Sequence, residues 1–540
     1  MRDETNPVKQ RSAIIVGAGA GGVATAARLA KAGFDVTVVE KNDFTGGRCS
    51  LIHSNGYRFD QGPSLLLLPR LFVDTFRDLG TSLEAEGIEL LKCDPNYIVW
   101  FADGEHMTLS TDVSVMKTEV ERWEGKDGFE NYLSYLREAH THYEQSVTHV
   151  LKKNFPSLLS MARPGFLRYL VALHPFESIY RRASCYFRTD RLRQLFTFGS
   201  MYMGMSPFDA PGTFSLLQYT ELTEGIWYPR GGFHRVIAAL VEVGERLGVR
   251  YRLSTPVARL TVQEDDDHGG RPVCTGVELL VYAAQHLLPP SRQARSLAAR
   301  PGSCSSISFY WSMSRTVPEL NVHNIFLAGH YRQSFDAIFK RNKIPDEPSF
   351  YVNVPSRVDP SAAPDGTDAV IVLVPVGHLS DENRASDDWK AIVDATRTTI
   401  IESIEARTGI TGFRAAIRQE QVNTPLEWQA KFNLDKGAIL GLSHSFFNVL
   451  SFRPRTKCSW VDRCFFVGAS THPGTGVPIC LAGSKLTADQ VLSELGSGHD
   501  GQGSIATRET RLRSHLFGRW AVFYASVMVL ISLLLRLLTR

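Results

Sequence analysis

The chain has 540 residues, 43% of them hydrophobic and 21% charged, which excludes a mostly disordered or fibrous polypeptide. That length gives a soft prior of about three domains. A formal net charge of +3 is too mild to argue for a nucleic-acid partner.

The first residues, MRDETNPVKQRS, are polar and contain no apolar stretch of the secretory kind. A strand-like run, Ser12–Val16, follows and leads into Gly17-Ala-Gly19-Ala-Gly-Gly22. An Ala-rich helix is predicted from about Val23 to Ala32, then a strand at Val36–Val39 that ends in Glu40. A bare GxGxxG is weak, but this one sits between a strand and a helix, where a dinucleotide site requires it. Gly17 permits the tight turn, Gly19 lets backbone approach a pyrophosphate, and Gly22 allows helix–strand packing. The helix N-terminus offers free N–H groups and partial positive charge to phosphates. Glu40 suits ribose hydroxyls and would repel a 2′-phosphate.

Further along, residues 112–150 carry apolar positions at three- and four-residue spacing and are predicted helical. A second helical region is expected over 157–200 and a third over 232–248. Strands are expected at Tyr251–Leu253, 257–262 and 273–280, with a turn at the acidic stretch 264–270. Strand-like patterns recur in SCSSISFYWSM and DAVIVLVPVG. Eight scattered cysteines without CxxC imply free thiols, and the histidines offer no HExxH, so no structural metal is expected. Residues 496–510 are rich in Gly and Ser and suit a linker. Beyond it, Trp520–Leu535 has sixteen residues without a charge. A spanning helix needs about 17–25 apolar residues, a length reached by counting through a snorkelling Arg536 to Leu538. Arg511, Arg513 and Arg519 precede the run and set the preceding body on the cytosolic side.

Three further segments decide between FAD and NAD. Asp43-Phe-Thr-Gly46-Gly47-Arg48 follows the ribose strand, then Asp60-Gln-Gly62-Pro63-Ser64; near the other end stands FFVGASTHPGTGVPICLAGSK, with Gly468, Gly476 and Val477. This tandem resembles the FAD-containing amine oxidase and carotenoid desaturase superfamily. Longer stretches, among them GGRCSLIHSNGYRFDQGPSLLLLP (46–69), FTFGSMYMGMSPFDAPGTFSLLQYTELTEGIWYPRGGFHRV (196–236) and HNIFLAGHYRQSFDAIF (323–339), resemble the fungal-type phytoene desaturases. The resemblance runs from Ser12 to Leu492.

The fold it implies is α/β, a Rossmann-type FAD-binding domain interleaved with an α+β substrate domain, plus a C-terminal apolar membrane helix. The FAD-binding domain takes residues 1–100, 229–290 and 456–495; the substrate domain takes 101–228 and 291–455; a linker covers 496–518 and the helix 519–538. The resemblance implies FAD rather than NAD. The residues expected to bind it are Gly17, Gly19, Gly22, Glu40, Gly46, Gly47, Arg48, Gly62, Pro63, Gly468, Gly476 and Val477. The implied substrate is an acyclic C40 carotene, phytoene or a partly desaturated product, dehydrogenated in successive rounds towards lycopene or beyond. An allylic carbon gives hydride to the flavin and the adjacent carbon loses a proton. Membrane lipid is the expected surroundings, an internal membrane such as the endoplasmic reticulum the location, and a quinone or oxygen the electron acceptor. Phe196, Phe198, Met201, Tyr202, Met203, Met205 and Phe208 either line the substrate channel or are ordinary core. Asp209 is a candidate proton acceptor or charge stabiliser, or else a turn residue beside a proline. Arg230, in Pro229-Arg-Gly-Gly-Phe, steadies a flavin phosphate or a developing charge, or its motif is architectural.

One departure stands against this pattern. After CTGVELL (274–280) the family continues with a turn, another strand and an Asn-Ala-Asp type segment; here Leu280 runs straight into Val281. About fifteen to twenty residues are missing by the usual strand and loop lengths. Two alternatives follow: a desaturase or isomerase for a later carotenoid intermediate, and an inactive flavoprotein-like chain.

Overall fold

A computed structural model describes residues 11–161, 172–265, 271–279, 292–381 and 388–496, together with 169 and 383. The chain falls into two compact units, Met1–Ala488 and Asp489–Arg540. The sheets and the cavity described below belong to the first. The linker after Gly496, the apolar run Trp520–Leu535 and the junction at Val281 lie outside the described residues. Among the described residues no helix is long and apolar enough to cross a membrane.

The N-terminal glycine motif forms as expected. Strand Ser12–Val16 pairs in parallel with Asp35–Val39, and helix Ala20–Lys31 connects them. Small residues let this helix lie tight on the sheet: a Cβ on Gly22 would stand 2.1 Å from the carbonyl oxygen of Gly17. Asp35–Val39 pairs on its other side with Arg250–Arg252. The sheet order therefore leaves Ser12–Val16 at an edge among the described residues. Its Ile14 and Val16 are 49% and 42% exposed. A parallel sheet normally covers both faces of its strands, so this exposure is unusual.

A seven-stranded sheet makes the larger core. Its order is Ile417–Asn423, Ser305–Met313, Ala369–Val376, Phe350–Asn353, His323–Phe326, Tyr97–Trp100 and His106–Leu109. All neighbours are antiparallel except His323–Phe326 with Tyr97–Trp100. Strand Ser305–Met313 is buried on both faces. Ile307, Phe309, Trp311 and Met313 pack in one apolar cluster with Ile400, Ile401 and Ile404 of helix Trp389–Thr408. Residues that face the other way, such as Ser306, reach the cavity.

The helix expected over 112–150 runs from Val113 to Ser146, capped by Asp112, which accepts from the Ser114 N–H at 2.7 Å. Gly125, at φ 67°, breaks its regularity. The helical region expected over 157–200 consists, among the described residues, of short pieces, including Ile179–Ser184 and Asp190–Leu195. Ser178 and Thr189 cap these pieces and restart the helix each time. The expected helix at 232–248 is His234–Arg246. The strands after it make an antiparallel hairpin, Val257–Asp265 with Arg271–Leu279.

Candidate active site

A cavity of about 1610 Å³ runs through the first unit. One end is lined by glycine-rich backbone and polar groups, the other by apolar side chains. All twelve residues expected at the cofactor line it: Gly17, Gly19, Gly22, Glu40, Gly46, Gly47, Arg48, Gly62, Pro63, Gly468, Gly476 and Val477. They come from two distant stretches of sequence, 17–63 and 468–477.

The residues at this end suit a dinucleotide. Helix Ala20–Lys31 starts at Gly19 with no side chain capping it, so its first N–H groups stay available to phosphate. Nothing lies within 4 Å of a Cβ built on Gly17, Gly19 or Gly468, so their backbone faces open volume. Glu40 is 8% exposed. Its Oε2 accepts from the Ala18 N–H at 2.8 Å, and its Oε1 accepts from Asn42 N and Nδ2 at 2.9 Å each. A carboxylate has about four acceptor sites, which leaves capacity for ribose hydroxyls. Burial pulls the Arg48 guanidinium below its ordinary pKa, with the thiols of Cys480 and Cys49 acting weakly against that. Among the described residues Arg48 has no hydrogen-bond or ion-pair partner; a half-buried cation in the cavity wall without an anion fits a diphosphate-bearing cofactor.

The loop that closes the site is organised by Arg453, which is 1% exposed. Its guanidinium donates to the carbonyls of Thr471 at 3.0 Å, Asn448 at 2.8 Å and Ser443 at 3.2 Å. Burial lowers its pKa to about 10. His444 Nε2 accepts from the Thr475 N–H at 3.2 Å, beside Gly474 and Gly476.

At the apolar end stand Phe198, Met201, Tyr202 and Met203, with Leu217. The Met/aromatic stretch therefore divides: these four face the cavity, whereas Phe196 and Met205 are core. Phe208 packs on Tyr180 and Tyr331 outside it.

The two catalytic candidates require correction. Asp209 is exposed and outside the cavity wall; its N–H closes a turn onto Ser206 O at 3.0 Å. Arg230 is also outside the wall, half-exposed and held by Glu89 at 2.6 and 3.1 Å. Its motif is architectural: Gly231 N–H donates to Asp359 at 2.7 Å, and Asp359 in turn holds Arg58 at 2.6 Å. Beside that pair, Asp60 accepts from Tyr228 Oη and Phe233 N at 2.7 Å each, and burial pushes its carboxyl up to about 6.

Two hydrogen-bonded chains reach the cavity wall, neither of which was identified from the sequence. Glu221, 2% exposed, accepts from Tyr97 Oη at 3.1 Å, and Tyr97 Oη lies 2.6 Å from Tyr202 Oη. Separately, Ser64 Oγ lies 2.8 Å from Tyr351 Oη, which lies 2.7 Å from His323 Nδ1. Glu221 stands in YTELTEG, inside a quoted stretch of resemblance, but its spacing gives no sign of burial.

A cluster of Glu138, His142 and His174 has donor atoms within 4.8 Å of one another. His142 already uses both ring nitrogens, with Ser215 Oγ at 2.8 Å and Ala172 O at 3.0 Å. Glu138 takes the guanidinium of Arg182. The eight cysteines are free thiols.

The comparisons with known proteins bear on this site. The sequence matches the flavin containing amine oxidoreductase family over residues 20–278. It is 59% identical to phytoene desaturase of Neurospora crassa over 509 residues, covering 90% of this chain and 85% of that one. It is 55% identical to phytoene desaturase of Cercospora nicotianae, covering 90% of each. The chain belongs to the phytoene desaturase family. It is an FAD-dependent oxidoreductase of that family. Among solved structures, a putrescine oxidase variant shares the fold with a TM-score of 0.56 at 14% identity, covering 90% of this chain and 99% of that one. The Cercospora alignment runs over 566 residues, more than the 540 of this family member, so that relative carries residues absent here. The family match ends at 278, just before the junction at Val281.

Proposed function

We propose that the chain dehydrogenates phytoene, or a partly desaturated product of it, in successive rounds towards lycopene or a more desaturated acyclic carotene. One observation carries this reading: in a member of the phytoene desaturase family, a single cavity joins the dinucleotide end to a long apolar end. FAD, when bound, supplies a two-electron oxidation by accepting hydride. Gly19 and Arg48 would hold its diphosphate, and Glu40 its ribose. The apolar wall of Phe198, Met201, Met203 and Leu217 recognises a polyene that has no polar handle. It also keeps water from the reacting carbons.

The reading extends to location. A substrate dissolved in lipid needs an entrance at the bilayer. Phe446 and Leu450 line the cavity, and around them Phe176 and Phe447 are each 71% exposed. Phe176 and Phe446 rings lie 4.7 Å apart, Phe447 and Phe452 rings 5.5 Å. Such an exposed aromatic group suits a membrane interface. The run Trp520–Leu535 would anchor the chain in the same internal membrane, where a quinone is available as acceptor; oxygen is the alternative. The interleaving of an FAD-binding and a substrate domain belongs to this reading too.

Expression in phytoene-accumulating cells, followed by pigment analysis, tests it. Coloured acyclic carotenes are the expected result. Unchanged phytoene with conversion of a supplied later intermediate would shift the substrate; no conversion of any carotenoid would overturn the reading.

A further inference from the structure

Dehydrogenation removes a hydride and a proton, and FAD, when bound, would take the hydride. The proton needs an acceptor in a cavity whose apolar end has few. Tyr202 lines that cavity, and behind it Tyr97 and Glu221 form a continuous chain with oxygen separations of 2.6 and 3.1 Å. The direction of this chain follows from counting protons. Tyr97 has one hydroxyl proton and donates it to Glu221 Oε1. Tyr202 must then donate to Tyr97. The Tyr202 oxygen has thereby turned its proton inward, and its remaining lone pairs are available to accept from the cavity. Among the described residues nothing else in the cavity wall combines an inward-donating hydroxyl with a buried carboxyl behind it.

We propose that Tyr202, Tyr97 and Glu221 form a proton relay that takes up the proton lost from the substrate. The inference rests on the carotenoid dehydrogenation proposed above. In the step, the C–H bond beside the hydride-donating carbon breaks, and its electron pair becomes the new C=C π bond. Its proton bonds to Tyr202 Oη, the Tyr202 proton moves to Tyr97 Oη, and the Tyr97 proton moves to the Glu221 carboxylate. The two electrons that leave with the hydride are accepted by FAD. Tyr202 is the catalytic residue; Tyr97 and Glu221 act through it.

The relay has a pH dependence. Burial is the main cause that pushes the Glu221 carboxyl up to about 8, against the hydrogen bond from Tyr97. The groups that face it are Tyr97 from the strand Tyr97–Trp100, Tyr202 from the cavity wall and Tyr135 from the long helix. All three are phenols that burial keeps neutral. Only the ionised carboxylate can take the proton. Protonated Glu221 would itself donate to Tyr97 and turn the chain outward. The rate should therefore rise with pH through about 8.

The test uses the full chain loaded with FAD in phosphatidylcholine vesicles that contain phytoene, with rates from about pH 6 to about pH 9. Glu221→Gln and Tyr202→Phe are expected to keep their flavin, lose roughly 100-fold in rate and lose the limb near pH 8, since general-base assistance is worth that order. Glu221→Asp should restore a limb. A second readout needs no turnover: the infrared C=O band of a protonated carboxyl should titrate near pH 8 in the parent chain and be absent from Glu221→Gln. A Glu221→Gln chain with the parent pH profile would overturn the relay. So would loss of the limb on Tyr351→Phe with retention on Tyr202→Phe, which would move the function to the Ser64–Tyr351–His323 chain. A flavin-loaded parent chain that converts no carotenoid would instead overturn the functional reading, and the relay with it.

Discussion

A Cβ on Gly62 would stand 2.4 Å from the carbonyl oxygen of Arg48, so these two residues can meet only while position 62 has no side chain. The contact joins the stretch after the ribose strand to the stretch that leads to Ser64. It fixes where the Arg48 guanidinium enters the cavity. Gly62→Ala should push the two backbones apart, cost about 1–3 kcal/mol of stability as overpacking does, and lower bound flavin. Thermal denaturation and flavin absorbance of the purified variant measure both. An unchanged melting temperature with full flavin would refute the role given to this contact.

Arg48 supports a prediction whose two halves have opposite signs. Arg48 is half-buried in the cavity wall without an anion among the described residues. Such a charge is costly to the cofactor-free protein and useful to the loaded one. Arg48→Met should therefore leave the flavin-free chain as stable as the parent, or more so. FAD affinity should fall by at least about tenfold, since a charge-assisted hydrogen bond is worth roughly 1.5–3 kcal/mol. Melting without FAD and a fluorescence titration with FAD separate the halves. Equal FAD affinity in variant and parent would sink the assignment.

The glycine-marked half of the site was legible because its signal is local. Gly17, Gly19 and Gly22 act within one strand–turn–helix, and the physics of that unit fits inside six residues. The closing segment at Gly468 and Gly476 was reached only through resemblance, since its approach to Gly21 is a long-range contact. The acid–base groups failed for the same reason. Asp209 and Arg230 are conspicuous in sequence, yet one turns outward and the other is satisfied by Glu89. Glu221 looks like any polar residue near a helix end, and its burial beneath Tyr97 is decided by packing. The helical character of 157–200 was legible, but its division by the caps Ser178 and Thr189 was not.

Asp60 ties stability to pH in a direction opposite to most carboxylates. Burial raises its carboxyl to about 6 in the folded chain, although Tyr228 and Phe233 donate to it. An unfolded aspartate titrates near 4. Between these values the folded state holds the extra proton. This group's contribution to stability is therefore greatest below about pH 4, declines as pH rises towards about 6, and stays low above it. Its neighbour Asp359 has a carboxyl held below its ordinary value, despite burial, by Gly231, Ser361 and Arg58, and so titrates below this window. Asp60→Asn should flatten the decline, which at most is worth about 3 kcal/mol for a shift of this size. Melting temperatures from about pH 4 to about pH 7 measure the slope, and a slope equal to the parent's would refute the attribution.

The strand Ser12–Val16 carries the last prediction. It is the strand that presents the first glycine turn to the cofactor, yet it has a partner on one side only among the described residues. Ile14 and Val16 are exposed there. An open apolar edge leaves N–H and C=O groups to water and invites pairing with other chains. The Cercospora relative carries residues absent from this chain, and loss of a strand that neighbours Ser12–Val16 would leave such an edge. A turn hung on a half-supported strand should hold FAD weakly. The purified chain is therefore expected to carry less than one FAD per polypeptide and to regain flavin when FAD is added in excess. A chimaera with a relative's segment inserted between Leu280 and Val281 should retain FAD through gel filtration and aggregate less. The measurement is the ratio of flavin to protein absorbance before and after filtration. A chain that retains stoichiometric flavin without the insertion would show that the edge strand is supported well enough as it stands.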